Sequence, residues 1–305
     1  VLVVTLVAPF LAPAPPDLQE DVAGARFLPP MSRAHAIRTA DDPERVLVVV
    51  SLRRTSIGWR FDRAGVSREI PAADLLEPPS PRLYLLGTDA LGRDLASRLL
   101  FASRRSVGIA LASVALALLL GVGAGSLAGL TGGWRDSVLM RGVDVLMSIP
   151  RLLLFLVCTA LLTPTTPVLI AVLGATTWTG IARIVRAEML SLRGSDLADA
   201  ARALGASAPR LVVHHLLPQI VPVIAVSAAL RFADTVLLES ALGFLGLSSP
   251  PPAVSLGSVI ASGRDALAEA WWIVLWPGLV IAILVITARV AASGILRRPE
   301  PSSTT

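Results

Sequence analysis

Long apolar stretches separated by short, arginine-bearing polar segments set the pattern of the last two thirds of the chain. Ser106–Gly133 and Ala270–Ala288 carry no charge, and each is close to or beyond the roughly 20 apolar residues that cross a bilayer. Ser137–Leu162 spans if Asp144 and Arg151 are accommodated. Val168–Ala182, extended through Ile184, makes a further span, as does Ile220–Leu242 with Arg231, Asp234 and Glu239 inside it. Val1–Leu11 is apolar but too short to span alone. It reads as a first transmembrane helix, within 1–12, whose start is missing. The other reading, a signal-peptide remnant, lacks a basic segment before it and a clear small-residue cleavage site. The expectation is an all-α polytopic membrane protein of about six transmembrane helices.

Between Pro13 and Arg105 the pattern changes to that of a water-exposed region. Arg45–Leu52, Ile57–Asp62 and Gly65–Ile70 have strand character, with a turn expected at Ala64-Gly65 and proline-rich stretches at Pro13–Pro16 and Pro78–Pro81. This predicts a small β-rich extracytoplasmic insert. Ala90–Arg105 places Leu95, Leu99 and Leu100 at helical spacing with Arg93, Arg98 and Arg105 between them. It reads as a helix at the membrane interface or as a surface helix of the insert. The domain plan is therefore 1–12, then 13–105, then a transmembrane core over 106–298 with a loop at 191–218, and a disordered tail over 299–305.

Composition agrees with a bilayer protein: 54% of the 305 residues are hydrophobic, 16% are charged, and the mean hydropathy is +0.71. Every basic residue other than histidine is arginine. A Walker A loop needs a lysine to reach the terminal phosphates, so this chain cannot supply one. Cys158 is the only cysteine, which excludes an internal disulfide and a cysteine-based zinc site. Basic residues are dispersed rather than clustered with aromatics, so no nucleic-acid partner is expected. Arginines on one side (Arg135, Arg141, Arg183, Arg186, Arg193, Arg202, Arg210, Arg289, Arg297, Arg298) outnumber those on the other, where Thr163–Pro167 has none. The arginine-rich side is expected to be cytoplasmic, which places the insert outside.

The most informative polar segment is Ser195–Pro222, SDLADAARALGASAPRLVVHHLLPQIVP. Asp196, Leu197, Ala200, Ala201 and Leu204 fit a short helix with Ser195 as N-cap; Gly205 stops it, and Pro209 is placed to open another. Small side chains at Ala200 and Ala201 would let another surface approach closely. By pattern alone the segment is equally a plain connector.

The loop resembles the cytoplasmic EAA loop of ABC-importer permeases: Glu-Ala-Ala, three residues, Gly, nine residues, an aliphatic, any residue, then Leu-Pro. Asp199, Ala200, Ala201, Gly205, Leu217 and Pro218 fall at those positions. Asp199 stands where the pattern has Glu, and His215 stands at the aliphatic position. Leu86–Asp94 (LGTDALGRD), Gly132–Pro150 and Ala241–Gly263 are similar to segments of the peptide and nickel branch. The resemblance covers about 85–297.

It implies the type I importer permease fold in the cytoplasmic (inner) membrane of a prokaryote, and a transport role rather than catalysis. It further implies a second permease subunit, as a heterodimer, two ATP-binding-cassette ATPase subunits and an extracytoplasmic solute-binding protein. ATP and Mg would sit on the ATPases, with no cofactor on this chain. The coupling loop would comprise Asp196, Asp199, Ala200, Ala201, Gly205, Leu217 and Pro218. The solute would be a dipeptide, an oligopeptide or a related small solute such as a nickel complex.

Intramembrane charges are costly and face protein or water. Asp144 and Arg151, seven apart, would share a helix face; Asp234 would pair with Arg231; and Glu239 lies near the outer end of its span. These five are candidates for a polar pathway lining, or for packing between helices. The adjacent His214 and His215 point different ways on a helix, and His35 is expected on the other side, so no metal site is expected. Two other classes compete: an intramembrane aspartyl protease using Asp144 and Asp234, and an ion-coupled secondary transporter.

Overall fold

The computed structural model describes residues 11–63, 66–248, 250 and 252–296. The first helix expected in 1–12 lies almost wholly outside these residues, as do the Ala64-Gly65 turn and the 299–305 tail. The chain divides into two compact units, each with its own internal packing.

The first unit runs to Ser106 and adds Ser240–Gly246 and Pro250–Ile281. It opens with a short helix, α1 (Val22–Ala25), followed by β1 (Ser32–Thr39), β2 (Asp42–Val49), β3 (Leu52–Arg54), β4 (Gly58–Arg63), β5 (Val66–Pro71) and β6 (Ser80–Tyr84). Two three-stranded antiparallel sheets result, ordered β2-β1-β6 and β3-β4-β5. The sequence pattern indicates β2, β4 and β5 but not β1 or β6. Pro81 in β6 argues against a strand, yet β6 is an edge that pairs only with β1, where a missing N–H is tolerated.

One apolar cluster joins Ala25, Leu28, Ala34, Val48 and Tyr84, and another joins Ile37, Val49 and Phe61. Asp21 ties these parts together. Its carboxylate accepts from the amides of Gly24 (3.2 Å) and Val48 (2.9 Å) and from Arg63 Nη2 (2.6 Å).

The helix expected over 90–105 is not a separate interfacial element. Leu95–Thr131 forms one continuous 37-residue helix, α2, about 55 Å long at 1.5 Å per residue. No proline or glycine interrupts the junction at Arg105-Ser106. Leu95, Leu99 and Ala102 are buried rather than turned to lipid, and Arg98 is buried with them.

The second unit holds most of α2 together with α3 (Gly133–Ser148), α4 (Arg151–Leu161), α5 (Thr166–Leu192) and α6 (Asp196–Ala203). It continues with α7 (Ala208–Arg210), a π-helical stretch (Leu211–Leu216) and most of α8 (Leu217–Phe244). The segment 137–162, expected as one span, is two helices. Ile149 and Pro150 take extended backbone angles between α3 and α4, because proline disfavours a helical conformation in the residue before it. Asp144 and Arg151 therefore do not share a helix face.

Helices α9 (Leu256–Gly263) and α10 (Trp272–Leu296) are the last long helices among the described residues. Among the described residues, four helical segments are long and apolar enough to cross a membrane: Leu95–Thr131, Thr166–Leu192, Ala208–Phe244 and Trp272–Ile295. Two of these helices, α2 and α5, pack at backbone distance. A Cβ added at Gly129 would lie 2.5 Å from Met189 Cβ, so only glycine permits the approach.

Candidate functional site

The segment between α5 and α8 folds as its residues dictate. Ser195 caps α6, accepting from the Ala198 amide at 3.4 Å. At the other end Gly205 takes φ +82°, a conformation that costs other residues about 1–2 kcal/mol. Across it the Ala206 amide donates to Ala201 O (3.0 Å) and the Gly205 amide to Arg202 O (2.9 Å). This pair of bonds is a Schellman motif. Pro209 then falls in the first turn of α7.

α6 is seated on its own chain. Ala198 and Ala201 are buried in a cluster with Val185 and Met189 of α5, Leu211 and Leu216 of the π-helical stretch, and Ile220 of α8. The two small residues that stand out in the sequence, Ala200 and Ala201, therefore separate. Ala201 is 6% exposed and serves the internal seat, while Ala200 faces outward. Small size is needed at 198 and 201 so that the short helix can lie close to α5.

The outward surface consists of Asp196, Leu197, Asp199, Ala200, Arg202, Ala203 and Leu204, closed by Gly205. Asp199 accepts from Arg202 at 2.8 Å. Leu204 is 89% exposed, the largest value among the exposed large hydrophobics described. By periodicity Leu204 is one more apolar residue of the helix; its place at the C-cap, next to a left-handed glycine, is what turns it out. Leu217 packs partly against the internal cluster at the start of α8, and Pro218 beside it is exposed.

The charges expected to line a pathway fall into separate groups. Asp144 of α3 accepts from Arg183 of α5. Arg231 and Asp234 of α8 form an ion pair at 3.3 Å, and Arg151 is the first residue of α4. Glu239 is buried. Asp144 and Asp234 are thus each held by a different arginine, an arrangement unlike two carboxylates sharing a proton.

A further pair has almost no signature in the sequence. Arg186 of α5 grips Asp136 of α3 through two nitrogens, Nη2 at 2.6 Å from Oδ2. These hydrogen bonds hold the Asp136 carboxyl below its ordinary range. The only sequence signal is an acid in the first turn of one helix and a base near the end of another.

In the first unit the LGTDALGRD segment is a buried polar hub. Asp89 accepts from the amides of Leu91 (2.9 Å) and Arg93 (3.0 Å), from Arg93 Nε (2.8 Å) and from Arg98. Thr88 accepts from the Leu28 amide (2.8 Å), and its carbonyl accepts from Trp272 Nε1 (3.2 Å). The segment thus joins the insert, the start of α2 and the start of α10.

The chain is 38% identical over 222 residues to a putative peptide transport system permease protein of Brucella suis, covering 72% of this chain and 73% of the relative. It is 36% identical over 235 residues to the di/tripeptide transport system permease protein DppC of Pseudomonas aeruginosa, covering 74% and 77%. Its fold resembles a chain of the MetNI methionine ABC transporter in an inward-facing conformation, with TM-score 0.56, 20% identity, and coverage of 66% of this chain and 95% of that one. Residues 121–303 match the family described as the binding-protein-dependent transport system inner membrane component, and the chain belongs to that family.

Proposed function

We propose that this multi-pass inner-membrane protein is one permease subunit of an ATP-driven importer of peptides, and that α6 is the element through which an ATPase subunit moves it. The observation that carries this reading is the mounting of α6: two buried alanines fix it to α5 and α8, and its other face offers Leu197, Ala200 and Leu204 to a partner. A plain connector has no need of both an internal seat and an apolar outward face. Peptide as solute is supported by the relatives, whose names describe peptide and di/tripeptide permeases.

In this reading ATP and Mg are bound and used by the partner ATPases. A second permease completes the pathway, and a binding protein delivers solute on the side of the insert. ATP binding draws the ATPases together, and α6, clamped to α5 and through Gly129 to α2, carries that movement into the membrane helices. The loop 191–218 is then cytoplasmic and the region 13–105 extracytoplasmic.

The test is uptake of labelled di- and tripeptides by proteoliposomes holding the chain with its co-purified partners. Uptake that requires ATP and the binding protein supports the reading. Peptide uptake by the chain alone, without ATP, contradicts it.

A further inference from the structure

Leu211, Leu216 and Ile220 are all buried, at 3%, 0% and 2% exposure, in the cluster that seats α6. The second interval, four residues, is the repeat of one face of an α-helix. The first interval is five, and residues five apart on an α-helix point about 140° away from each other. Unbroken α-helical geometry from Leu211 would instead set His214 and His215 beneath α6, because a helix repeats its face three and four residues on.

The π-helical stretch avoids this. The Leu217 amide donates to Val212 O, five residues back, and closure over five residues brings Leu216 round to the side of Leu211. Val213, at 56% exposure, and His214 are left outside, and His215 is half-buried. Two features of the sequence favour the wider turn. Leu216 is apolar, whereas a histidine in the seat would bury ring nitrogens that need partners. Pro218 has no amide to donate to His214 O, so the α-helical ladder is interrupted there in any case. His215 stands at the aliphatic position of the EAA pattern, and the buried aliphatic side chain is the next one along.

We propose that Leu216 is the positioning residue of α6. The π-turn brings it, in place of His215, into the seat with Ala198 and Ala201, and from there it sets how α6 is held when the ATPase moves it. This inference rests on the permease reading above and deepens it by naming the side chain, and the backbone register, that transmit the movement of α6.

The experiment measures labelled trialanine moved per ATP hydrolysed by the complete complex in proteoliposomes. It compares the wild type with Leu216→Ala, Leu216→Met, His215→Ala and the exchange H215L/L216H. Leu216→Ala is expected to lower the ratio about fivefold or more while still co-purifying with its partner subunits. Leu216→Met, which keeps an apolar side chain of similar volume, is expected to retain at least about half of the wild-type ratio. His215→Ala is expected to stay within about twofold of wild type. The exchange, which keeps both side chains but puts leucine at 215, is expected to fail as Leu216→Ala does. A ratio for Leu216→Ala within about twofold of wild type overturns the proposal. An equal loss in His215→Ala, or in Leu216→Met, also overturns it. So does a wild-type ratio in the exchange, because the register would then not select residue 216. Loss of the partner subunits from Leu216→Ala overturns it as well, assigning the residue to assembly. A wild-type complex without ATP-dependent uptake contradicts the permease reading and this proposal with it; a working wild type matched by Leu216→Ala contradicts this proposal alone.

Discussion

The Ala206 amide donates to the Ala201 carbonyl across Gly205, at 3.0 Å, and this bond ends α6 where its outward apolar surface ends. The same Ala201 packs its methyl group into the cluster with Leu211, Leu216 and Ile220. One residue thus closes the helix and seats it. The position of Leu204, and with it the surface offered to a partner, follows from that arrangement.

Replacing Gly205 by valine forces a β-branched residue into a left-handed conformation, at a cost of about 1–2 kcal/mol. Among the described residues nothing beyond the chain neighbours lies within 4 Å of a Cβ added at Gly205, so the cost is local and the membrane helices should form normally. The expected result is normal membrane insertion with ATP hydrolysis uncoupled from peptide uptake. Membrane fractionation and a paired ATPase and uptake assay check it.

Ala200 and Ala201 should respond oppositely to enlargement. Ala201→Leu overpacks the seat and is expected to cost about 1–3 kcal/mol, read as a lower thermal unfolding temperature of the purified protein. Ala200→Leu meets open space within the chain and should leave that temperature unchanged while weakening co-purification of the ATPase.

The Asp136–Arg186 pair should show a coupling energy of about 1–2 kcal/mol in a double-mutant cycle on unfolding, using Asp136→Asn and Arg186→Gln. The folded-state pKa of Asp136 is depressed, so the pair's contribution is fully present above the unfolded carboxylate value of about 3.9. It is lost only as pH falls through the lower folded value. The coupling measured at pH 7 should therefore persist at pH 5.

Asp89→Asn removes the charge that pairs with the buried Arg98. Breaking a buried pair from one side is expected to cost about 3–5 kcal/mol. Yield of folded protein and its thermal unfolding check this, with Asp94→Asn as a milder comparison that alters only the cap at the Ser97 amide.

Much of this architecture is legible in the sequence, for identifiable reasons. The spans follow from apolar length alone, and α6 follows from Ser195, Gly205 and the spacing between them. Hydropathy cannot show where a helix continues or breaks. Ser106 begins an apolar run but does not begin a helix, and Pro150 splits a segment whose hydropathy is unbroken. Strands β1 and β6 are hard to see because RAHAIRT has little β-branched character and SPRLY contains a proline. Within the site, periodicity groups Ala200 with Ala201, but their separation depends on what lies beneath the helix. That underlying surface comes from Met189 and Leu216, distant in sequence and supplied by tertiary packing.

The central claim is that the outward face of α6 meets an ATPase subunit. Cysteines placed singly at Ala200 and at Leu204, in a Cys158→Ser background, allow short bifunctional maleimide cross-linking in the assembled complex. Cross-links from both positions to the ATPase, changing in yield when ATP is bound, are the expected result. Cross-links to the ATPase from another exposed loop, with none from Ala200 or Leu204, would contradict the account.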